Sequence, residues 1–340
     1  MTSKKKLAVK EPISGGLMLS YKCTGSCKHC MYNCSPEWDA DWISEADITN
    51  YLSQLSATIK PSPYGRDSID LNSGIHFTGG EPFLNFSLLL QATRIACELG
   101  IPSTFVETNC YWCGKEEVAE DKLRQLKDAG LKGIMLSVNP FILEYVSFER
   151  TERAIRVSKK VFGQTAIVYQ TFFYRQFKEL GIESTLYLED YTGKTGPGSF
   201  DYAEIIPMGR FPYKLGHMFK RQKAKSFFGR SCEARLTSPY HIHIDNYGNY
   251  MGGFCGGISL GDAHDLSLIF RGIDLDKRPV LKALVTGIEE LYKIGKEFGY
   301  EDLPEGYVSP CHLCIDIRKH LIQKTDEFEE LRPKELYSRI

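Results

Sequence analysis

Five short apolar, β-rich runs, separated by amphipathic stretches, occupy residues 16–175 and leave few folds open: GLMLSY (16–21), GIHFTGG (74–80), STFVETN (103–109), GIMLSVN (133–139) and TAIVYQTFF (165–173). Continuous apolar runs of this kind suit strands buried on both faces of a parallel sheet. Ser44 and Asp47 form an N-terminal capping pair ahead of Ile48, Leu52 and Leu55 at helical spacing. Helical patterns over 87–99, 115–129 and 151–162 each stop at a glycine (Gly100, Gly130, Gly163) suited to the left-handed position that ends a helix. Strand and helix in alternation predict a parallel sheet or barrel with right-handed crossovers. AEIIPMG (203–209) reads as a sixth strand, placed at an edge by Pro207. YTGKTGPGSF (191–200) reads as a loop. Its GKT is not a phosphate loop, because Leu188 stands where that motif needs its first glycine.

After about residue 211 the pattern changes. HIHIDNYGNYMGG (241–253) reads as a β-hairpin, 280–298 as one long amphipathic helix, and Cys311-His-Leu-Cys314 precedes a further helical pattern. These features predict an N-terminal extension over 1–14, a core over 15–224 and a smaller α+β domain over 225–340. With 42 basic and 43 acidic side chains, no nucleic-acid or anionic-membrane partner is expected from bulk charge. The basic start lacks the apolar stretch of a signal peptide, and no apolar run reaches the roughly 18 residues of a spanning helix. A cytoplasmic protein is therefore expected.

Cysteine is the informative part of the composition. There are eleven, an odd number that argues against a disulfide framework in a chain without a secretory signal. Ten fall in three groups: Cys23, Cys27, Cys30 and Cys34; Cys110 and Cys113; and Cys232, Cys255, Cys311 and Cys314. Clustered cysteines in a cytosolic protein read first as metal ligands. Cys97, on the apolar side of a helix, reads as a core residue. The first group, CTGSCKHC, directly follows the first strand, at the end where βα architectures assemble their sites. Three thiolates leave one iron of a four-iron cubane open, whereas zinc, or a cluster closed by Cys34, remains the plain alternative on spacing alone.

The C-x3-C-x2-C loop after the first strand, taken together with Gly79-Gly80-Glu81-Pro82 at the end of the second, resembles the radical S-adenosylmethionine (SAM) superfamily over roughly residues 15–210. The resemblance implies an α/β fold, a partial (β/α)6 TIM-like barrel. It implies a [4Fe–4S] cluster on Cys23, Cys27 and Cys30, with SAM chelating the open iron and a 5′-deoxyadenosyl radical abstracting a substrate hydrogen. Gly79, Gly80, Glu81 and Pro82 would meet the methionine moiety, with Glu81 accepting its ammonium protons. His29, where the family usually has an aromatic residue, would stack near adenine or simply pack the loop. Asn109, Ser137 and Asn139 would offer ribose contacts, or cap strand ends. Arg153 or its neighbour Arg150 would pair with the SAM carboxylate, or face solvent. Gln170 would line the pocket, and the PMGR segment at Met208 resembles family members with a C-terminal cluster domain.

Cys232, Cys255, Cys311 and Cys314 supply the four ligands of a closed cluster, and their arrangement resembles the twitch domain, a shortened SPASM domain with one auxiliary [4Fe–4S] cluster. A zinc ribbon is the alternative. Cys110 and Cys113 are candidate catalytic thiols, through a redox disulfide or hydrogen-atom donation. The resemblance further implies an electron donor such as flavodoxin or ferredoxin, and a peptide or small-molecule substrate. The competing functions are a small-molecule dehydrogenase, an activase that installs a glycyl radical in a partner, and a non-catalytic electron carrier or sensor.

Overall fold

The computed structural model describes residues 5–340. The chain divides into two compact units. One comprises 13–27 and 34–204; the other comprises the segment up to Pro12, 28–33 and 205–340. The expected boundary near 225 thus falls at 204/205, and the N-terminal extension, apart from its first four residues, which lie outside the described residues, belongs with the C-terminal part up to Pro12.

The first unit is built on five parallel strands, β2 (Ser14–Met18), β3 (Gly74–Thr78), β4 (Phe105–Thr108), β5 (Gly133–Ser137) and β6 (Ala166–Tyr169), hydrogen-bonded in chain order. Chain order without reversal is the wall of an open barrel, with no doubly wound switch point. The helices α1 (Glu45–Leu55), α2 (Phe86–Glu98), α3 (Glu116–Asp128), the short α4 (Pro140–Leu143) and α5 (Phe148–Phe162) return the chain between strands. Ser44 caps α1 by accepting from the Asp47 N–H at 3.0 Å, and Ile48, Leu52 and Leu55 are its buried stripe. Gly100, Gly130 and Gly163 all take positive φ after their helices. On one face of the sheet Ile69, Phe105 and Met135 pack with Leu71, Ile167 and Tyr169. Leu17, Phe77, Val106, Ile134 and Leu136 are wholly buried.

Several expectations change in this unit. Residues 203–209 form no strand, so the wall has five strands and not six. Pro207 removes a ladder donor, and Glu204 is instead held by the Tyr169 hydroxyl. The expected strand 165–173 stops at Tyr169, and its aromatic end starts α6 (Thr171–Glu179), which buries Phe173 and Phe177. The expected loop 191–200 is mostly helix α7 (Leu188–Thr195) and a 3₁₀ turn over Pro197–Tyr202. Here the buried Tyr191 anchors a segment whose glycines suggested otherwise. Cys97 is exposed on α2, its sulfur lying over the Cα of Gly130, and is not a core residue.

In the second unit, β1 (Lys6–Leu7) pairs antiparallel with β9 (Ile273–Asp274). The expected hairpin is β7 (Ile242–Ile244) with β8 (Tyr250–Met251), turned at Gly248. Short helices α8 (Phe211–Lys214), α9 (Glu233–Leu236) and α10 (Leu266–Phe270) punctuate the loops. The expected long helix 280–298 is two helices, α11 (Pro279–Thr286) and α12 (Ile288–Glu297), because Gly287 leaves the helical region at φ 167°. Helix α13 (Pro310–Lys324) carries Cys311 and Cys314 and is capped by Ser309; α14 (Glu335–Ser338) closes the chain. Among the described residues no helix is long and apolar enough to cross a membrane.

Candidate metal and cofactor sites

Beyond β2 the chain runs into the cysteine loop, and the loop is bonded to the end of the next strand. The Gly80 N–H donates to the Ser20 carbonyl at 2.8 Å, and the Glu81 N–H donates to the Lys22 carbonyl at 2.9 Å. A β-carbon at Gly80 would lie 1.7 Å from the Lys22 oxygen and 2.9 Å from the Cys23 nitrogen. Gly79 has φ +126°, and its β-carbon would lie 2.3 Å from the Ser20 oxygen. Only glycine fits such an approach. The close partner of these glycines is therefore the backbone that leads into Cys23, which the sequence reading had not foreseen.

Glu81 is buried and is occupied by its own loop. It accepts from the Phe83 N–H at 3.1 Å, the Asn109 N–H at 2.8 Å and the Thr108 hydroxyl at 2.9 Å. Burial pushes its carboxyl up to about 7 against these bonds. It joins the ends of β3 and β4. Pro82 opens the 3₁₀ turn that follows. Asn109 reaches the cysteine loop itself: its amide donates to Thr24 Oγ1 at 3.0 Å and lies 3.7 Å from Cys23 Sγ. Thr24 and Trp112, whose indole donates to Thr108 at 2.9 Å, were not singled out by sequence.

Cys110 and Cys113 are fully buried. Burial, then the charges of Glu81 and Cys113, hold the Cys110 thiol well above its usual range, and burial pushes Cys113 up to about 11. Raised thiols are poor thiolate nucleophiles, whereas the expected hydrogen-atom donation would use the protonated form. Arg150 donates to the Tyr111 carbonyl at 2.7 Å, and Arg153 to the carbonyls of Cys113 at 2.8 Å and Gly114 at 3.0 Å. Both arginines thus hold carbonyls of the loop after β4. Asn139 caps α4, accepting from Phe141 and Ile142, as the capping alternative anticipated. Ser137 ends β5 in register with Tyr169. Gln170 sits in the left-handed region at φ 62°. On the same face, Thr78 donates to Glu107 at 2.9 Å, and burial pushes Glu107 up to about 7.

Cys23 and Cys27 lie in this first unit and are partly exposed. Cys30, also partly exposed, lies in segment 28–33 of the second unit, where the PMGR segment supports it. Gly209 has φ +62° and would place a β-carbon 2.3 Å from the Cys30 oxygen, and the Arg210 N–H donates to that oxygen at 3.1 Å. Burial, then the Arg210 charge, lowers His29 to about 4, so its ring is neutral. Met208 is buried.

The second unit brings Cys232, Cys255, Cys311 and Cys314 together. Burial pushes the Cys255 thiol up to about 12, with further contributions from Cys232, Cys311 and Cys314; Cys232 rises likewise to about 12. Four thiols gathered in one unit offer the donor set of a tetrathiolate centre, iron–sulfur or zinc alike.

No protein-family model matches the chain, and no curated protein matches it. Among solved structures the chain is similar to BtrN in complex with AdoMet and 2-DOIA (TM-score 0.48, 13% identity, covering 82% of this chain and 89% of that one). It is also similar to anSMEcpe with bound AdoMet (0.44, 12%, 91% and 97%) and to Streptococcus suis SuiB bound to S-adenosylmethionine (0.40, 16%, 72% and 60%). At these scores none carries a functional argument.

Proposed function

We propose that the chain is a radical SAM enzyme with one auxiliary iron–sulfur cluster. The observation that carries the reading is the pair of motifs at successive strand ends, the Cys23–Cys30 loop and Gly79-Gly80-Glu81-Pro82, with Gly80 and Glu81 bonded to the Ser20 and Lys22 carbonyls just before Cys23. Cys23, Cys27 and Cys30 would hold the first cluster, and Cys232, Cys255, Cys311 and Cys314 the second. When bound, the first cluster supplies reductive cleavage of SAM and, through the resulting 5′-deoxyadenosyl radical, removal of a substrate hydrogen. The protein's own part is positional. Gly80 and Glu81 fix the backbone entering Cys23, and Asn109 orients Thr24 beside it. Arg150 and Arg153 hold the loop after β4. His29, neutral, is suited to stack against adenine, and Ser137 to meet the ribose.

The substrate is a C–H bond of a peptide, or of a small molecule; the electron donor is a flavodoxin- or ferredoxin-like protein, and the compartment is the reducing cytoplasm. The test is anaerobic reconstitution with iron and sulfide, then incubation with SAM and dithionite. Formation of 5′-deoxyadenosine and methionine is expected, and its absence sinks the radical reading. Iron and sulfide of about eight each per chain support two cubanes; about four with one zinc removes the auxiliary cluster.

A further inference from the structure

Arg318 is 2% exposed, and no carboxylate meets it. It lies on α13, four residues after Cys314 and seven after Cys311, which places all three on one face of the helix. Its bonds go to neutral groups: Nη1 donates to the Gly256 carbonyl at 3.1 Å and to the Tyr337 hydroxyl at 2.8 Å. Its Nε is buried with no hydrogen-bond partner. The guanidinium carbon sits 5.5 Å from the Tyr337 ring centroid. Gly257, two residues after Cys255, has φ +80°, and a β-carbon there would lie 3.2 Å from Nη1. A buried cation without a counter-charge costs several kcal/mol, so folded proteins pair such charges. The groups of opposite potential sign around Arg318 are the Tyr337 hydroxyl and, after it, the sulfurs of Cys314 and Cys255.

A second arginine repeats the arrangement from the other side. Cys232 is the N-cap of α9, and Arg235 follows three residues later. Its Nη1 lies 3.7 Å from Cys311 Sγ, on the exposed flank of the group. Each cysteine-bearing helix therefore carries an arginine one turn on, one guanidinium buried and one at the surface.

We propose that Arg318, assisted by Arg235, is the counter-cation of a metal-bound tetrathiolate at Cys232, Cys255, Cys311 and Cys314, and that it stabilises the reduced form of that centre. The inference rests on the auxiliary-cluster reading. A tetrathiolate cubane carries net negative charge that grows by one electron on reduction, and fixed positive charge beside it favours that electron. Both arginines are positioning residues for the cluster's charge.

The test isolates the second site. In the full chain, Cys23→Ala, Cys27→Ala and Cys30→Ala are combined, and the protein is reconstituted anaerobically with iron and sulfide. It is then titrated with dithionite, with EPR and visible absorption following reduction. Iron and sulfide at about four each per chain establish the cluster. Failure to take up iron and sulfide, or uptake of zinc alone, sinks the reading and the inference with it. With the cluster present, Arg318→Gln is expected to lower the reduced-to-oxidised ratio about tenfold at the parent's midpoint, a shift of about 59 mV to more negative potential. Arg318→Lys recovers most of that shift. Arg235→Gln moves the midpoint the same way by less, with a dependence on salt. An unchanged midpoint in an intact Arg318→Gln cluster overturns the inference. Where Arg318→Gln does not fold, a parental midpoint in Arg235→Gln overturns it.

Discussion

Replacing Gly80 by alanine puts a methyl carbon 1.7 Å from the Lys22 carbonyl oxygen and 2.2 Å from its carbon. Both contacts are backbone, so no flexible side chain can swing aside. The strand end and the cysteine loop must separate, and the Gly80–Ser20 and Glu81–Lys22 hydrogen bonds are strained or broken. Two hydrogen bonds at about 1 kcal/mol each and an overpacking cost of about 1–3 kcal/mol give a destabilisation of about 3–5 kcal/mol. For a chain of this size that lowers the melting temperature by roughly 10 °C. The assay is anaerobic thermal unfolding of the metal-free chain, followed by iron uptake in a background with the four C-terminal cysteines replaced by alanine. Gly193→Ala is the control: it sits within α7 with nothing within 4 Å of a new β-carbon, and is expected to be neutral or slightly stabilising. A Gly80→Ala protein melting within about 2 °C of its parent, less than the shift of a single kcal/mol, would refute the reasoning.

Glu107 has its carboxyl raised from 4.5 to about 7 by burial, against the Thr78 hydrogen bond, with His76 and Tyr169 facing it. Because the native state holds that proton more tightly than the unfolded chain, the associated stability is complete below about pH 4.5 and is lost as pH rises through about 7. Glu107→Gln is expected to gain up to about 3 kcal/mol relative to its parent between pH 5 and pH 8, read from urea midpoints; an identical pH response in both proteins would contradict this. Ser309→Ala removes the acceptor of the His312 N–H and the donor to the Pro207 carbonyl, and should cost about 1–2 kcal/mol in urea unfolding. Cys110→Ala and Cys113→Ala are expected to lower the melting temperature while leaving iron content and 5′-deoxyadenosine formation at parental levels. Loss of SAM cleavage with a normal iron content would keep them as catalytic candidates.

Much of the first unit was legible because its signals are local. Parallel strands buried on both faces need continuous apolar runs, and helices packed on them need a periodic stripe and a glycine stop, so five strands and their helices could be read directly. The misreadings have equally local causes. Residues 203–209 are apolar enough for a strand, but Pro207 cannot donate and Glu204 bonds to Tyr169. The glycine-rich 191–200 becomes mostly helical because Tyr191 finds a buried site that composition does not reveal. Gly287, in the middle of a periodic stretch, divides α11 from α12.

The sequence by itself singled out the candidates for the proposed chemistry: three cysteines on the loop after the first strand, glycines at the end of the second, and four more cysteines in the C-terminal third. Ligand spacing and strand ends are properties of short segments. Only the tertiary structure decided what each neighbouring group does, because that depends on which distant backbone it meets. It turned Gly79 and Gly80 toward the Cys23 loop, tied Glu81 to Thr108 and Asn109, and buried Cys110 and Cys113. It also set Arg318, an ordinary basic residue on a helical pattern, against Gly256 and Tyr337 beside the C-terminal sulfurs, where burial makes its charge count.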